Sequence, residues 1–341
     1  MLNRVSGRWG FRVATRSAIG GGHVSRCVAL AAALGHGAHF FVDPDCIDSA
    51  RLKEYGFSVI REQSAEHADE ALAALYRHEI NGLVVDGPTF GALFTDNVTK
   101  IGICLEIDDG NRASVAQIVV RPNFLGDDLK TAQDQVIAAG PTYALLNPRF
   151  AATHVLAKGM DPAPTVRRIL IAAGAFDSPN LTKLALTAVA ITGNSVPVTV
   201  VLGGQAPHLA EIKDIAAGMP NVTLRIDVKD MAAMYLDHDL CIGAPGVSLL
   251  ERSSCGLPSI LASQSTAQEA NAEAAAKLGC ARHLGNCKTL APHILADTLD
   301  QLIRDNDERL EMRAVGLHAV DGRGAGRVAE LMTAFVQRQT A

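Results

Sequence analysis

The sequence predicts an α/β protein made of two doubly wound parallel-sheet domains in tandem, facing each other across a cleft. Three observations carry that expectation. Short, apolar, β-rich runs alternate with helical stretches along the whole chain. The runs are apolar throughout rather than at every second residue, as strands covered by helices on both sides must be. The pattern also breaks once, at a polar segment with two prolines over 157–168, and then starts again.

In chain order, strands are expected at 11–15 (FRVAT), 38–43 (AHFFVD), 57–62 (FSVIRE), 82–86 (GLVVD), 101–108 (IGICLEID) and 117–122 (QIVVRP). The stretches SRCVALAAALG and AEHADEALAALYRHE lie between them and are apolar at three-to-four spacing, as helices with one buried face are. After the break come strands at 168–174, 197–204, 222–227, 239–246, 258–263 and 281–285, with the helices NLTKLALTAVAIT and AQEANAEAAAKLG among them. The chain closes with GAGRVAELMTAFVQRQ, an amphipathic helix. The expected domains are therefore 1–156 and 168–320, joined by a linker over 157–167, with the closing helix within 321–341 packing back on the first domain.

Composition narrows the function. With 48% hydrophobic and 20% charged residues the chain has the makeup of a packed globular protein, not a disordered one. A net charge of −5 offers no general attraction to nucleic acid or to an anionic membrane surface. No run of eighteen apolar residues supplies a membrane span, and MLNRVSGRWG lacks a signal-peptide core. Seven scattered cysteines, none in a C-x-x-C pair, fit a reduced compartment; a cytoplasmic protein is expected. Neither H-E-x-x-H, nor a Cys/His cluster, nor a G-x-S-x-G elbow occurs, so metal-hydrolase and serine-hydrolase readings have no support.

The most unusual stretch is SAIGGGHVSRC, 17–27, which follows the first strand and opens the first helix. Ligands bind at such carboxyl ends of parallel strands, and bare glycine backbone beside helix N–H groups favours phosphate. A dinucleotide reading fits Gly20 and Gly22, with Asp43 available to a ribose, but Ser25 stands where the third glycine belongs. A tight turn without any ligand is the plain alternative. His23 lies in the first helical turn, where the positive end of the helix dipole opposes a further positive charge and suits a proton acceptor. A lone histidine there is ordinarily a cap or packing residue; the glycines beside it favour a general base.

The second informative stretch is CIGAPGVSLLERSSCGLPSIL, 241–261, a strand, a Gly-Ala-Pro-Gly-Val-Ser loop and a helix. Gly246 and the N–H groups after it suit a phosphate. Glu251, one turn further on, suits two ribose hydroxyls. An ordinary strand–helix–strand unit with Glu251 solvated is the bland alternative. Asp108 and Asp109 end another strand; adjacent positions point to opposite faces, so they are not expected to act as a pair, and one should cap the following turn. In AAGAFDSPNLTKLAL, 172–186, Asn180 or Thr182 is the expected helix cap.

Taken together and in order, these pieces resemble the UDP-sugar hydrolases of pseudaminic acid biosynthesis, GT-B-fold relatives of the inverting glycosyltransferases that use UDP-N-acetylglucosamine. Phe11, Arg12, Ile19, Gly20, Gly22, His23, Val24, Arg26 and Cys27 match that family's first motif. IDDGNR, GPTYALLNPRF, GAFDSPNLT and the stretch 231–261 follow in the family's order, so the resemblance covers about Phe11 to Gly285. It implies metal-independent cleavage of the anomeric C–O bond of UDP-2,4-diacetamido-2,4,6-trideoxy-β-L-altrose by water, with inversion, in the service of flagellin or surface-glycan decoration. It implies that His23 activates the water. Glu251 would bind the ribose, and Gly246 and Ser248 would lie near the diphosphate. Gly20, Gly21, Gly22, Arg26, Asn180 and Gln268 would contribute to substrate binding.

The chain departs from the family pattern at four places. Arg12-Val13-Ala14 lacks an aspartate, and Asp86-Gly87-Pro88 lacks a tyrosine. Gly243-Ala244-Pro245-Gly246-Val247-Ser248 lacks one hydroxyl, and Ala267-Gln268 replaces an Asn-Gln pair. Two further functions stay open on these residues: an inverting UDP-sugar glycosyltransferase of the same fold, and a UDP-sugar-binding protein without turnover. An NAD-dependent dehydrogenase is a more distant alternative.

Overall fold

The computed structural model describes residues 8–13, 21–35, 38–43, 46, 49–61, 73, 77–78, 80, 82–87, 99, 102–110, 114–126 and 135–340. The chain divides into two compact units, residues 1–148 with 323–341, and residues 149–322. The division falls after Pro148, so residues 149–156, given to the first domain on sequence grounds, pack in the second unit. The sequence expectation of a linker over 157–167 covers residues that also belong to the second unit.

The first unit holds a seven-stranded sheet: β1 (Trp9–Val13), β2 (Ala38–Val42), β3 (Ser58–Arg61), β4 (Gly82–Asp86), β5 (Ile103–Ile107), β6 (Ile118–Arg121) and β7 (Val136–Ala139). Its order is β3-β2-β1-β4-β5-β6-β7, and the neighbouring strands are parallel. Such an order reverses direction between β1 and β4, the kind of switch point at which open α/β sheets bind ligands. Helix α1 (Gly22–Leu34) follows β1 and buries Val24, Cys27, Val28, Leu30 and Ala31. The short α2 (Ser49–Glu54) precedes β3.

The second unit holds β8 (Ile169–Ala172), β9 (Val198–Leu202), β10 (Val222–Ile226), β11 (Leu240–Gly243), β12 (Ser259–Ser263) and β13 (Arg282–Asn286). They form a parallel sheet in the order β10-β9-β8-β11-β12-β13, so its switch point lies between β8 and β11. Its helices are α3 (Arg149–Gly159), α4 (Leu181–Thr192), α5 (Leu209–Ala217), α6 (Met231–Leu236), α7 (Val247–Ser254), α8 (Thr266–Leu278), α9 (Pro292–Arg304) and α10 (Asn306–Ala319). The last helix, α11 (Gly324–Thr340), returns to the first unit, where Ala325, Val328, Met332 and Phe335 join the core built by β1, β2 and α1.

Twelve strands stand where uninterrupted apolar runs were read, with ends shifted by up to three residues. One strand was missed. β7, Val-Ile-Ala-Ala, is four residues long and half alanine, a residue depleted in strands, and it exists because β6 offers it a ladder. The helix expected over AEHADEALAALYRHE lies largely outside the described residues. Among the described residues no helix is long and apolar enough to cross a membrane.

Candidate functional site

Each unit presents its own cluster at the carboxyl edge of its sheet, beside the switch point. In the first unit, β1 leads into α1 and β4 ends at Asp86. His23, the second residue of α1, brings Nδ1 to 2.7 Å from Asp86 Oδ1. Arg26, one turn along the same helix face, donates through Nε to Asp86 Oδ2 at 2.6 Å and through Nη2 to Oδ1. Cys27 adds a thiol hydrogen bond to Oδ2 at 3.4 Å. The i, i+3, i+4 face of α1 thus closes on one carboxylate that is 0% exposed.

Burial alone would raise the Asp86 carboxyl, but the Arg26 guanidinium first and then the His23 ring outweigh it and hold the group well below the usual carboxylate range. Asp86 therefore stays ionised and accepts only. Nδ1 must supply the hydrogen to it, because an ionised carboxylate can only accept, and Arg26 Nη2, 3.1 Å from Nδ1, donates to the same oxygen. The ring's other nitrogen, Nε2, is left with its lone pair and no partner among the described residues, on a side chain 16% exposed. That arrangement, a histidine oriented from behind by a carboxylate, is what a general base requires.

Arg26 also ion-pairs with Asp109, whose side chain is 49% exposed. Asp108 turns the other way: Oδ2 accepts from Arg121 at 2.9 and 3.2 Å, while Oδ1 caps the turn at Gly110 N–H. The two aspartates, just past the end of β5, diverge, and one of them caps the turn. Asp43, which a dinucleotide reading would give to a ribose, is 4% exposed and ion-paired with Arg12. Gly21 is the N-cap of α1 and Gly22 its first residue; Gly20 lies outside the described residues.

In the second unit β11 runs into the loop 244–246 and then α7, whose N-cap Gly246 leaves the first N–H groups without a side-chain cap. A methyl on Gly246 would meet no atom within 4 Å, at a φ of −82° that any residue adopts. Neither packing nor backbone strain therefore asks for glycine there. Gly243 differs: a Cβ would lie 2.5 Å from Ala172 O and 3.0 Å from Arg252 Nη1. Ser248, in the first turn, accepts from Arg252 Nη1 at 3.1 Å. Glu251 is oriented by Tyr235, whose hydroxyl donates to Oε2 at 3.1 Å. Burial, and then the charge of Glu251, push the Tyr235 phenol far above its ordinary value, so it remains a donor.

Beside this loop, at the end of β8, Asp177 holds a left-handed φ of 41° and accepts from Leu181 and Thr182 N–H and from Gln264 Nε2. Burial raises its carboxyl despite those bonds. Asn180 is the N-cap of α4, with Oδ1 on Lys183 N–H and Nδ2 on Glu211. Gln268 accepts from Gln264 N–H at 2.9 Å, so it shapes the turn that carries Gln264 to Asp177.

The structure thus brings His23 and Arg26 together in one cluster and Gly246, Ser248 and Glu251 in another. Asn180 and Gln268 sit at the β8 and β12 edges with their amides engaged in caps. The sequence reading gave no role to Asp86, Arg252, Tyr235 or Gln264. A charged residue ending the otherwise apolar run GLVVD was the available signal for Asp86; the others carried none.

A paired substitution separates the roles of the two glycines. Gly246→Ala is expected to leave the melting temperature unchanged, because its methyl would reach only open space. Gly243→Ala is expected to destabilise the fold by about 1–3 kcal/mol through overpacking. Thermal unfolding measures both.

No protein-family model matches the chain. Over 209 residues it is 27% identical to the spore coat polysaccharide biosynthesis protein SpsG of Bacillus subtilis, and the match covers 60% of each chain. The chain therefore spans less than two thirds of that relative's length. Its structure superposes on that of MurG from Acinetobacter baumannii with a TM-score of 0.69 at 17% identity, covering 95% of this chain and 98% of MurG. The fold is GT-B. The calicheamicin glycosyltransferase CalG4 gives a TM-score of 0.68 at 16% identity, covering 98% and 99%. At these identities the likeness to the GT-B enzymes is one of fold.

Proposed function

We propose that this chain processes a UDP-linked sugar, breaking the anomeric C–O bond with inversion and with water as the attacking group. The His23–Asp86 pair at the switch point of the first unit carries the reading. In it, Nε2 of His23 takes a proton from water as the water oxygen bonds to the anomeric carbon. The C–O bond to the β-phosphate breaks with its electron pair on phosphate oxygen, UDP departs, and His23 returns the proton to solvent. Proton abstraction of this kind contributes about 10²–10⁴-fold. The second unit holds the nucleotide: the uncapped start of α7 faces the diphosphate and Glu251 accepts from the ribose hydroxyls.

The proposed substrate is the UDP-diacetamido-trideoxy sugar that the motif order implies, and the product a free sugar for nonulosonic acid synthesis and surface glycosylation. The similarity to a spore coat polysaccharide protein supports sugar-nucleotide work in general. The GT-B likeness to named glycosyltransferases favours a second reading in which an acceptor hydroxyl replaces water.

The test is an NMR time course with UDP-2,4-diacetamido-2,4,6-trideoxy-β-L-altrose and no acceptor. Release of UDP and free sugar of inverted anomeric configuration supports hydrolysis. UDP release only when an acceptor is added supports the transferase, and binding without turnover in both conditions sinks catalysis. Glu251→Gln is expected to weaken UDP binding about tenfold and uracil binding not at all, since each 1.4 kcal/mol of lost ribose contact is a factor of ten.

A further inference from the structure

Arg252 is the largest polar side chain in the second unit with no exposure at all, and among the described residues no carboxylate pairs with it. Its three hydrogen bonds go to neutral groups: Nε to Ser259 Oγ at 3.0 Å, Nη1 to Ser248 Oγ at 3.1 Å and Nη2 to Ala244 O at 2.9 Å. A buried cation without an anion is unfavourable unless one arrives. The guanidinium sits directly behind the loop between β11 and α7, and the absence of a side chain on Gly243 makes room for it.

The loop is gripped from the inside at two successive carbonyls. Arg252 takes Ala244 O, and Asn271 Nδ2, 8% exposed, takes Pro245 O at 2.9 Å. In a planar trans peptide the N–H of the next residue points opposite to the carbonyl. Holding Pro245 O inward therefore turns the Gly246 N–H away from Asn271. Arg252 does the same for a side chain. A guanidinium only donates, so the Ser248 oxygen that receives its N–H must direct its own hydrogen elsewhere.

We infer that Arg252 is a positioning residue for a diphosphate, acting through Ser248 by making that hydroxyl an obligate donor and placing an unmatched positive charge behind it. The inference rests on the proposed nucleotide-sugar reading and assigns to that site the ligand group it is built for. It also accounts for how the loop works with one hydroxyl fewer than the family pattern: the hydroxyl that remains has a fixed polarity.

Calorimetric titration of the full chain with UDP, inorganic pyrophosphate and uridine tests it. Wild type should bind UDP at least tenfold more tightly than uridine. Arg252→Lys keeps a charge but loses the fork, and should lose about tenfold for UDP and pyrophosphate with uridine unchanged. Ser248→Ala, on a partly exposed residue, should show the same loss at the wild-type melting temperature, and the double variant less than the product of the two. Parallel losses for UDP and uridine, or wild-type UDP affinity in Ser248→Ala, would overturn the role of Arg252 and leave the nucleotide reading standing. If Arg252→Lys does not fold, Ser248→Ala decides alone. Pyrophosphate binding that depends on Ser248, with no UDP binding, would uphold the loop and overturn the UDP reading. Binding of neither ligand to wild type overturns both.

Discussion

Replacing Asp86 with asparagine is expected to slow UDP release about 10²–10⁴-fold while leaving UDP affinity unchanged, and His23→Ala is expected to do the same. The two effects should not add. Asp86 acts by holding the hydrogen on Nδ1, so once the base is gone its orientation no longer matters. An asparagine amide in that position can present N–H to the ring, turning the tautomer so that Nε2 carries the hydrogen and cannot accept. Single-turnover kinetics on the single and double variants, with UDP affinity measured separately, check this. Additive losses would place the two residues in different steps.

Arg26→Met should produce the largest change in stability. It leaves Asp86, 0% exposed, without the cation that holds it ionised, and removing one partner of a buried pair is worth about 3–5 kcal/mol. Asp109→Asn should change stability little, since its side chain is half exposed and its link to Arg26 is solvent-screened. The acid side of the stability curve reports the same carboxylate. Because its folded value lies below the ordinary 3.8, Asp86 adds stability that is fully present above that pH and is withdrawn as the pH falls below it. In Arg26→Met burial is opposed by His23 alone, the carboxyl moves up, and the destabilisation should shrink as the pH is lowered and Asp86 takes a proton. In Asp86→Asn the acid loss should flatten. The combination Arg26→Met with Asp86→Asn should recover part of the stability without any recovery of turnover. Urea unfolding from neutral pH to well below 3.8 separates these outcomes.

Legibility in the sequence followed sequence distance. Parallel strands covered on both faces have to be apolar at every position, so FVD, GLVVD and ILIA announce themselves within a few residues. The same logic hid β7, whose alanines give no such signal, and it gave no hint that Arg12, Arg121 and Arg252 are buried. A buried arginine is tolerable only because a partner reaches it: Asp43 is 31 residues from Arg12, and Asp86 is 60 from Arg26. In the second unit the loop glycines, Ser248 and Glu251 were readable as a local strand–loop–helix pattern. The grip on that loop was not, because Asn271 comes from the next helix, 26 residues from Pro245.

By itself, then, the sequence determined the layered α/β architecture, the doubling of the pattern and the histidine and glycines at strand ends, since each of these is a property of neighbours along the chain. Only the tertiary structure decided what His23 is. Its hydrogen is directed by a carboxylate 63 residues away, carried to it by the strand order that sets β1 beside β4. Hydrogen-bond partnership depends on distance in space, and no periodicity along the chain encodes it.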